Sequence, residues 1–225
     1  MNRKIEERQR VRVKICGLTR AEDALWAAEL GADAVGFIFA ESPRQITPES
    51  ARTIIELLPP WVSRVGVFVD QDIRLVRDIG DYCSLDYFQF HGHEDPAYCR
   101  QFPGRAIKAF RIREESDLTS LSKYILSAYL LDTFSPDRMG GTGQVFDWRL
   151  AILAKRYGRV ILSGGLGPDN VAQAIQLVQP YGVDASSGLE SAPGKKDHSK
   201  LSSFFKAVSS AASASSSSSS SSSSI

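Results

Sequence analysis

The stretch "VRVKICGLTRAEDALWAAELGADAVGFIF", residues 11–39, sets two β-rich runs around one amphipathic segment. Side chains alternate along a strand, so Lys14 and Cys16 share a face of the first run, 11–16. That run stops at Gly17, and apolar residues then recur at helical spacing up to Gly31. Thr19 is the expected N-cap and Gly31 the expected stop. A second β run, 34–39, follows directly. Strand, helix and strand make one βα repeat. The first turn, "CGLTRAED", has a single glycine and so lacks the G-x-G-x-x-G loop common in open doubly wound sheets.

The alternation continues along the chain. Further strand runs lie at 63–69, 85–91, 105–110, 127–132, 159–164 and 182–188. Between them, "TPESARTIIELL" opens on Thr47 as N-cap with Pro48 in the first turn. "QDIRLVRDIG" is expected to end on Gly80, and "ESDLTSLSKY" and "KDHSKLSSFFKAV" read as later helices. Eight such units in about 200 residues predict an α/β chain, a single-domain (β/α)8 TIM barrel. The barrel is expected over 11–208, after a charged extension at 1–10. Residues 209–225 include ten consecutive serines, have no apolar face to bury, and are expected to form a disordered tail.

Composition limits the function classes. Lys+Arg (27) and Asp+Glu (26) nearly cancel, which removes the broad basic field of a nucleic-acid binder. The three cysteines, Cys16, Cys83 and Cys99, form no C-x-x-C pair, so neither a disulfide framework nor a thiolate zinc site is suggested. The first ten residues are charged and carry no signal-peptide core, and no apolar run is long enough to span a membrane. A soluble, cytoplasmic protein without nucleic-acid or membrane partners is expected, as a monomer or a homodimer.

In a barrel of this kind, chemistry gathers where strands end and βα loops begin. Lys14 and Cys16 stand there on the first strand, Gln89 and His91 on the fourth, Asp132 on the sixth, and Asp184 and Ser186 on the eighth, with Lys108 near the end of the fifth. Polar groups closing apolar strands need partners or a polar pocket, because burial without either costs a few kcal/mol each. Gly164 and Gly165 follow the seventh strand; Ser186, Ser187 and Gly188 follow the eighth. Glycines that admit an anion to the backbone, with serine hydroxyls beside them, suit a phosphate, and these two loops are where the fold usually places one. Gly140, Gly141 and Gly143, after the sixth strand, suit a lid over the substrate. "HGH" at 91–93 is too weak a pattern to assign a metal, and none is expected.

"KICGLT" (14–19), "QFHG" (89–92), "LLDT" (130–133), "GGTGQVFDW" (140–148), "LSGGLGPDNV" (162–171) and "VDASSGLESAPGKKD" (183–197) run in the order of a known family. The chain resembles phosphoribosylanthranilate isomerase, a (β/α)8 enzyme of tryptophan biosynthesis, the third step from chorismate. The resemblance covers residue 13 to about 200, with departures at Ser163 and Ala185. It implies an Amadori rearrangement of a phosphosugar substrate by an aldose–ketose isomerase with no cofactor. Asp132 is then the general acid and Cys16 the general base, its thiol tuned downward by positive neighbours such as Lys14. Arg44 and Asp184 line the anthranilate side. Two alternatives stay open at this stage: a Schiff-base aldolase using Lys14 or Lys108, and a barrel that binds a phosphometabolite without turning it over.

Overall fold

The computed structural model describes residues 10–132 and 148–217. Eight parallel strands close into a barrel: β1 (Arg12–Cys16), β2 (Ala34–Ile38), β3 (Ser63–Phe68), β4 (Tyr87–Phe90), β5 (Ala106–Arg111), β6 (Ala128–Asp132), β7 (Val160–Ser163) and β8 (Gly182–Ala185), with β8 pairing back onto β1. Helices α1 (Ala21–Glu29), α2 (Pro48–Ile55), α3 (Ile73–Tyr82), α4 (Pro96–Cys99), α5 (Trp148–Ala154), α6 (Val171–Val178) and α7 (His198–Ser217) alternate with them. Two short antiparallel strands, β9 (Glu190–Ala192) and β10 (Lys195–Lys196), form a hairpin after β8.

Two apolar layers follow from strand alternation. Val65, Ile107, Ala109, Ala128, Leu130 and Ile161 fill the barrel interior. Residues on the opposite strand faces, such as Ile15, Phe37, Phe88, Phe90 and Leu131, pack under the helices. Helix α6 shows the matching pattern: Val171, Ala174, Ile175 and Val178 recur at helical spacing and all are buried.

Several local expectations need correction. Thr47 does cap α2, accepting from Ser50 N, with Pro48 in the first turn. Thr19 does not cap α1; the N-cap is Arg20, and the Thr19 hydroxyl instead donates to Gly194 O at 2.6 Å. Gly80 does not end α3, which runs to Tyr82. A Cβ at Gly80 would stand 2.5 Å from the Phe88 ring, so the glycine serves packing rather than termination. The fifth connection is a 3-10 run, Glu115–Lys123, that buries Leu118 and Leu121 three residues apart, the period of that tighter helix.

The domain end also shifts. Helix α7 continues to Ser217, and Leu201, Phe204, Val208 and Ala211 are buried at helical spacing, so the folded part passes residue 208. The apolar face includes an alanine that serine-rich composition concealed. The glycines assigned to a lid, Gly140, Gly141 and Gly143, lie outside the described residues, as do 1–9 and 218–225.

Candidate active site

At the C-terminal mouth of the barrel is a cavity of about 240 Å3. Cys16, Arg44, Gln89, His91, Asp132, Gly164, Gly165, Asp184, Ser186, Ser187 and Gly188 all line it. Ile38, Val67 and Ser163 line it too, and the sequence reading gave them no role. The first two are inward-facing aliphatics that composition cannot separate from core. A larger cavity of about 630 Å3 opens at the other end of the barrel, but it lacks the strand-end acid, thiol and glycine loops, so size does not mark the site.

Lys14 departs from its expected position. It does not border the smaller cavity but lies beneath, 4% exposed, where its Nζ donates to Asp184 Oδ1 at 2.8 Å. The second oxygen of Asp184 accepts from Ser163 Oγ at 3.2 Å, so the unusual serine in this chain has a partner in the site. Lys108 is also displaced from the mouth. Its strand neighbours Ile107 and Ala109 face the barrel interior, and alternation turns Lys108 outward. There its ammonium donates to the carbonyls of Gly92 (2.8 Å) and Ala109 (3.0 Å) and pairs with Glu94 at 3.4 Å.

The thiol of Cys16 is packed closely. A Cβ at Gly36, its neighbour on β2, would lie 2.8 Å from Cys16 Sγ and 3.2 Å from Lys14 Cε. Glycine there gives both side chains room. Burial pushes the Cys16 thiol up, and the nearby Asp184 carboxylate adds to that; the Lys14 ammonium opposes it without prevailing. The expected lowering is therefore outweighed: full desolvation prevails over Lys14, already shared with Asp184, and over the weaker pull of Lys196.

Asp132 is met by His91, whose Nε2 lies 3.3 Å from Oδ2. The Gln89 amide nitrogen lies 3.2 Å from His91 Nδ1. The His91 ring thus bridges the Gln89 amide and the Asp132 carboxyl. His93, the other histidine of the pair, is 97% exposed and bonds Asp70 instead.

Two loops form the far wall. Gly164 and Gly165 both take positive φ, +90° and +67°, a turn that L side chains rarely adopt. Gly188 approaches Leu166 so closely that a Cβ would come within 2.3 Å of its carbonyl oxygen. The Ser186 hydroxyl is buried and has no hydrogen-bond partner among the described residues, which leaves a donor for a ligand.

The family model described as N-(5'phosphoribosyl)anthranilate (PRA) isomerase matches residues 13–207. The chain belongs to the phosphoribosylanthranilate isomerase family. Within it, the chain is 55% identical to the N-(5'-phosphoribosyl)anthranilate isomerase of Geobacter sp. strain M21 over 194 residues, 86% of this chain and 95% of that one. A crystal structure of a phosphoribosyl anthranilate isomerase in complex with reduced 1-(o-carboxyphenylamino)-1-deoxyribulose 5-phosphate superposes with a TM-score of 0.79 at 43% identity, covering 89% and 99% of the two chains. Monomers derived from the dimeric enzyme of Thermotoga maritima superpose with a TM-score of 0.78 at 42% identity, with the same coverage. The isomerase family thus spans the whole barrel described above, mouth and loops included.

Arg44 is the residue whose surroundings the sequence did not disclose. Its Nε bonds both oxygens of Glu190, at 2.8 and 3.0 Å, and its Nη2 bonds Oε2 at 2.7 Å. Glu190 also accepts from Lys196 Nζ at 2.9 Å. Both partners sit in "SSGLESAPGKKD", where the sequence assigns a site role to Ser186, Ser187 and Gly188 but not to Glu190 or Lys196. Their signal is topological: they are cross-strand partners in the β9–β10 hairpin.

Proposed function

We propose that this isomerase converts N-(5-phosphoribosyl)anthranilate to 1-(2-carboxyphenylamino)-1-deoxyribulose 5-phosphate with Asp132 and Cys16 as its acid and base. The observation that carries the assignment is that both residues line one small cavity walled by the two glycine–serine loops. Asp132 gives its proton to the ribose ring oxygen, and the C1–O bond breaks with its electron pair passing to that oxygen. The open-chain iminium acidifies the C2 hydrogen. The Cys16 thiolate takes that proton, leaving an enolamine that tautomerises to the ketone. Atoms and electrons balance without a cofactor, so one acid and one base suffice. His91, itself in contact with Gln89, holds the carboxyl of Asp132.

The phosphate is assigned to Gly164, Gly165, Ser186, Ser187 and Gly188, supported by the left-handed glycines and the unpartnered Ser186 hydroxyl. Arg44 receives the anthranilate carboxylate. Asp184 is assigned to the same side and holds Lys14 beneath Cys16. Three buried free cysteines support a reducing, cytoplasmic setting. Among the described residues no helix is long and apolar enough to cross a membrane. For assembly we favour the homodimer, on the strength of the dimeric relative and of exposed Trp61 beside the larger cavity.

The test is to make phosphoribosylanthranilate in situ and follow its fluorescence. The protein is expected to accelerate the loss of substrate emission with formation of the ketose. Binding without turnover would instead favour the phosphometabolite-binding reading. Borohydride with substrate is expected to trap no adduct, since Lys14 is paired with Asp184 and Lys108 faces away from the cavity; a trapped lysine would restore the aldolase.

A further inference from the structure

A planar guanidinium offers two edges for bidentate bonding, one made by Nε and Nη2 and the other by Nη1 and Nη2. Glu190 takes the first edge of Arg44. The second edge, at a residue that lines the cavity, is the one left for a ligand carboxylate. Glu190 is itself fixed. It is 8% exposed, its Oε1 also accepts from fully buried Lys196, and the same ammonium reaches Ser186 O at 3.3 Å. Burial works against its ionisation, yet the Arg44 and Lys196 hydrogen bonds prevail and hold its carboxyl below the usual range.

The stem of Arg44 is placed as deliberately as its head. A Cβ at Gly17 would stand 2.7 Å from Arg44 Cδ and 3.0 Å from Ser186 Oγ. Gly17 takes a φ of +72° at the end of β1, so the arginine stem and the serine of the phosphate loop both close over the residue next to Cys16. The network contains two cations and one carboxylate, which leaves a surplus positive charge suited to an anionic substrate group.

Resting on the isomerase reading above, we propose that Glu190 is a positioning residue: buttressed by Lys196, it aims the free edge of Arg44 at the aryl carboxylate of the substrate and ties that grip to the phosphate loop that leads into its hairpin. Substrate held at both ends then presents its sugar to Cys16 and Asp132 in one register. Glu190 touches neither reacting atom. Its contribution is selectivity for a substrate that carries a carboxylate.

The experiment compares kcat/KM for phosphoribosylanthranilate with kcat/KM for the phosphoribosyl derivative of aniline, which lacks the carboxylate. In Glu190→Gln the preference for the carboxylated substrate is expected to fall about tenfold, through KM, as one lost positioning interaction implies. Arg44→Ala should lower the preference at least as far, and Glu190→Gln should add nothing to it in the double variant. Glu190→Gln with Lys196→Gln leaves the network's net charge unchanged; this variant should show the same loss if the single one does not fold. A merely structural role would lower both substrates equally, and that result overturns the proposal, as does an unchanged preference. Failure of the wild-type protein to turn over phosphoribosylanthranilate would overturn the functional reading instead, so the two failures are distinct.

Discussion

Cys16 is buried against its own ionisation; Lys14, itself committed to Asp184, opposes that most strongly, and Lys196 adds to it. As the proposed base, Cys16 reacts as its thiolate, so kcat/KM should rise with pH along a limb set by that thiol. The sign follows from the surroundings: desolvation raises the thiol above its ordinary value, which places the limb on the alkaline side of an unperturbed cysteine, about 8.5. Lys14→Met removes the favourable ammonium and leaves the Asp184 carboxylate unbalanced. Both changes disfavour the thiolate, and the limb should move to still higher pH in a pH–rate profile. An unmoved limb would separate Lys14 from the base. Substituting the proposed acid and base themselves is the coarser test. Cys16→Ala and Asp132→Asn are each expected to lower turnover by roughly 10²–10⁴-fold with the circular dichroism spectrum preserved. Near-normal turnover in either would remove that residue from its assigned role.

At the scale of elements, the strands were readable because each is a short β-branched or aromatic run bounded by glycine or a helix opening. The helices were readable where apolar spacing and a cap agreed, as in Thr47-Pro48 before α2. Glycines misled where their reason was packing. Gly80 looks like a stop in sequence, yet it admits the Phe88 ring against the last turn of α3. Gly80→Ala should therefore destabilise the fold, despite the better helix propensity of alanine, by about 1–3 kcal/mol in a urea titration, the range for overpacking. A gain in stability would show that the ring moves freely. Gly188 carries a related constraint between two loops. Because its added Cβ would meet a backbone oxygen at 2.3 Å, Gly188→Ala must part the turns after β7 and β8. The expected result is weaker binding of inorganic phosphate by calorimetry and a raised KM. Unaltered phosphate affinity would take that pair of loops out of the anion site.

For the molecule as a whole, closure of the ring is what the sequence could not show directly. Alternation reveals which residues share a face, as with Lys14 and Cys16, but not which face turns inward. Lys108 was misplaced for that reason, and its outward turn is fixed by the neighbours that fill the interior. Likewise the pairing of Lys14 with Asp184 spans 170 positions and exists only because β8 returns to β1. The same closure leaves an opposite end free for assembly. There Trp61, 96% exposed and held at a φ of +78°, stands with Ile125, 80% exposed, at a cavity of about 630 Å3. A tryptophan buries ~150–250 Å2, whereas a specific interface needs roughly 1,200 Å2 in total. Trp61 can therefore anchor a two-fold contact but not constitute it, and the cavity rim of the second copy must supply the rest. Sedimentation of the 24.7 kDa chain at micromolar concentration is expected to give twice that mass, and Trp61→Ser to give the monomer. Since the proposed catalytic mouth lies at the other end of the barrel, the monomeric variant should keep its kcat while losing thermal stability. A wild-type protein that sediments as a monomer at every concentration would leave Trp61 without an assembly role.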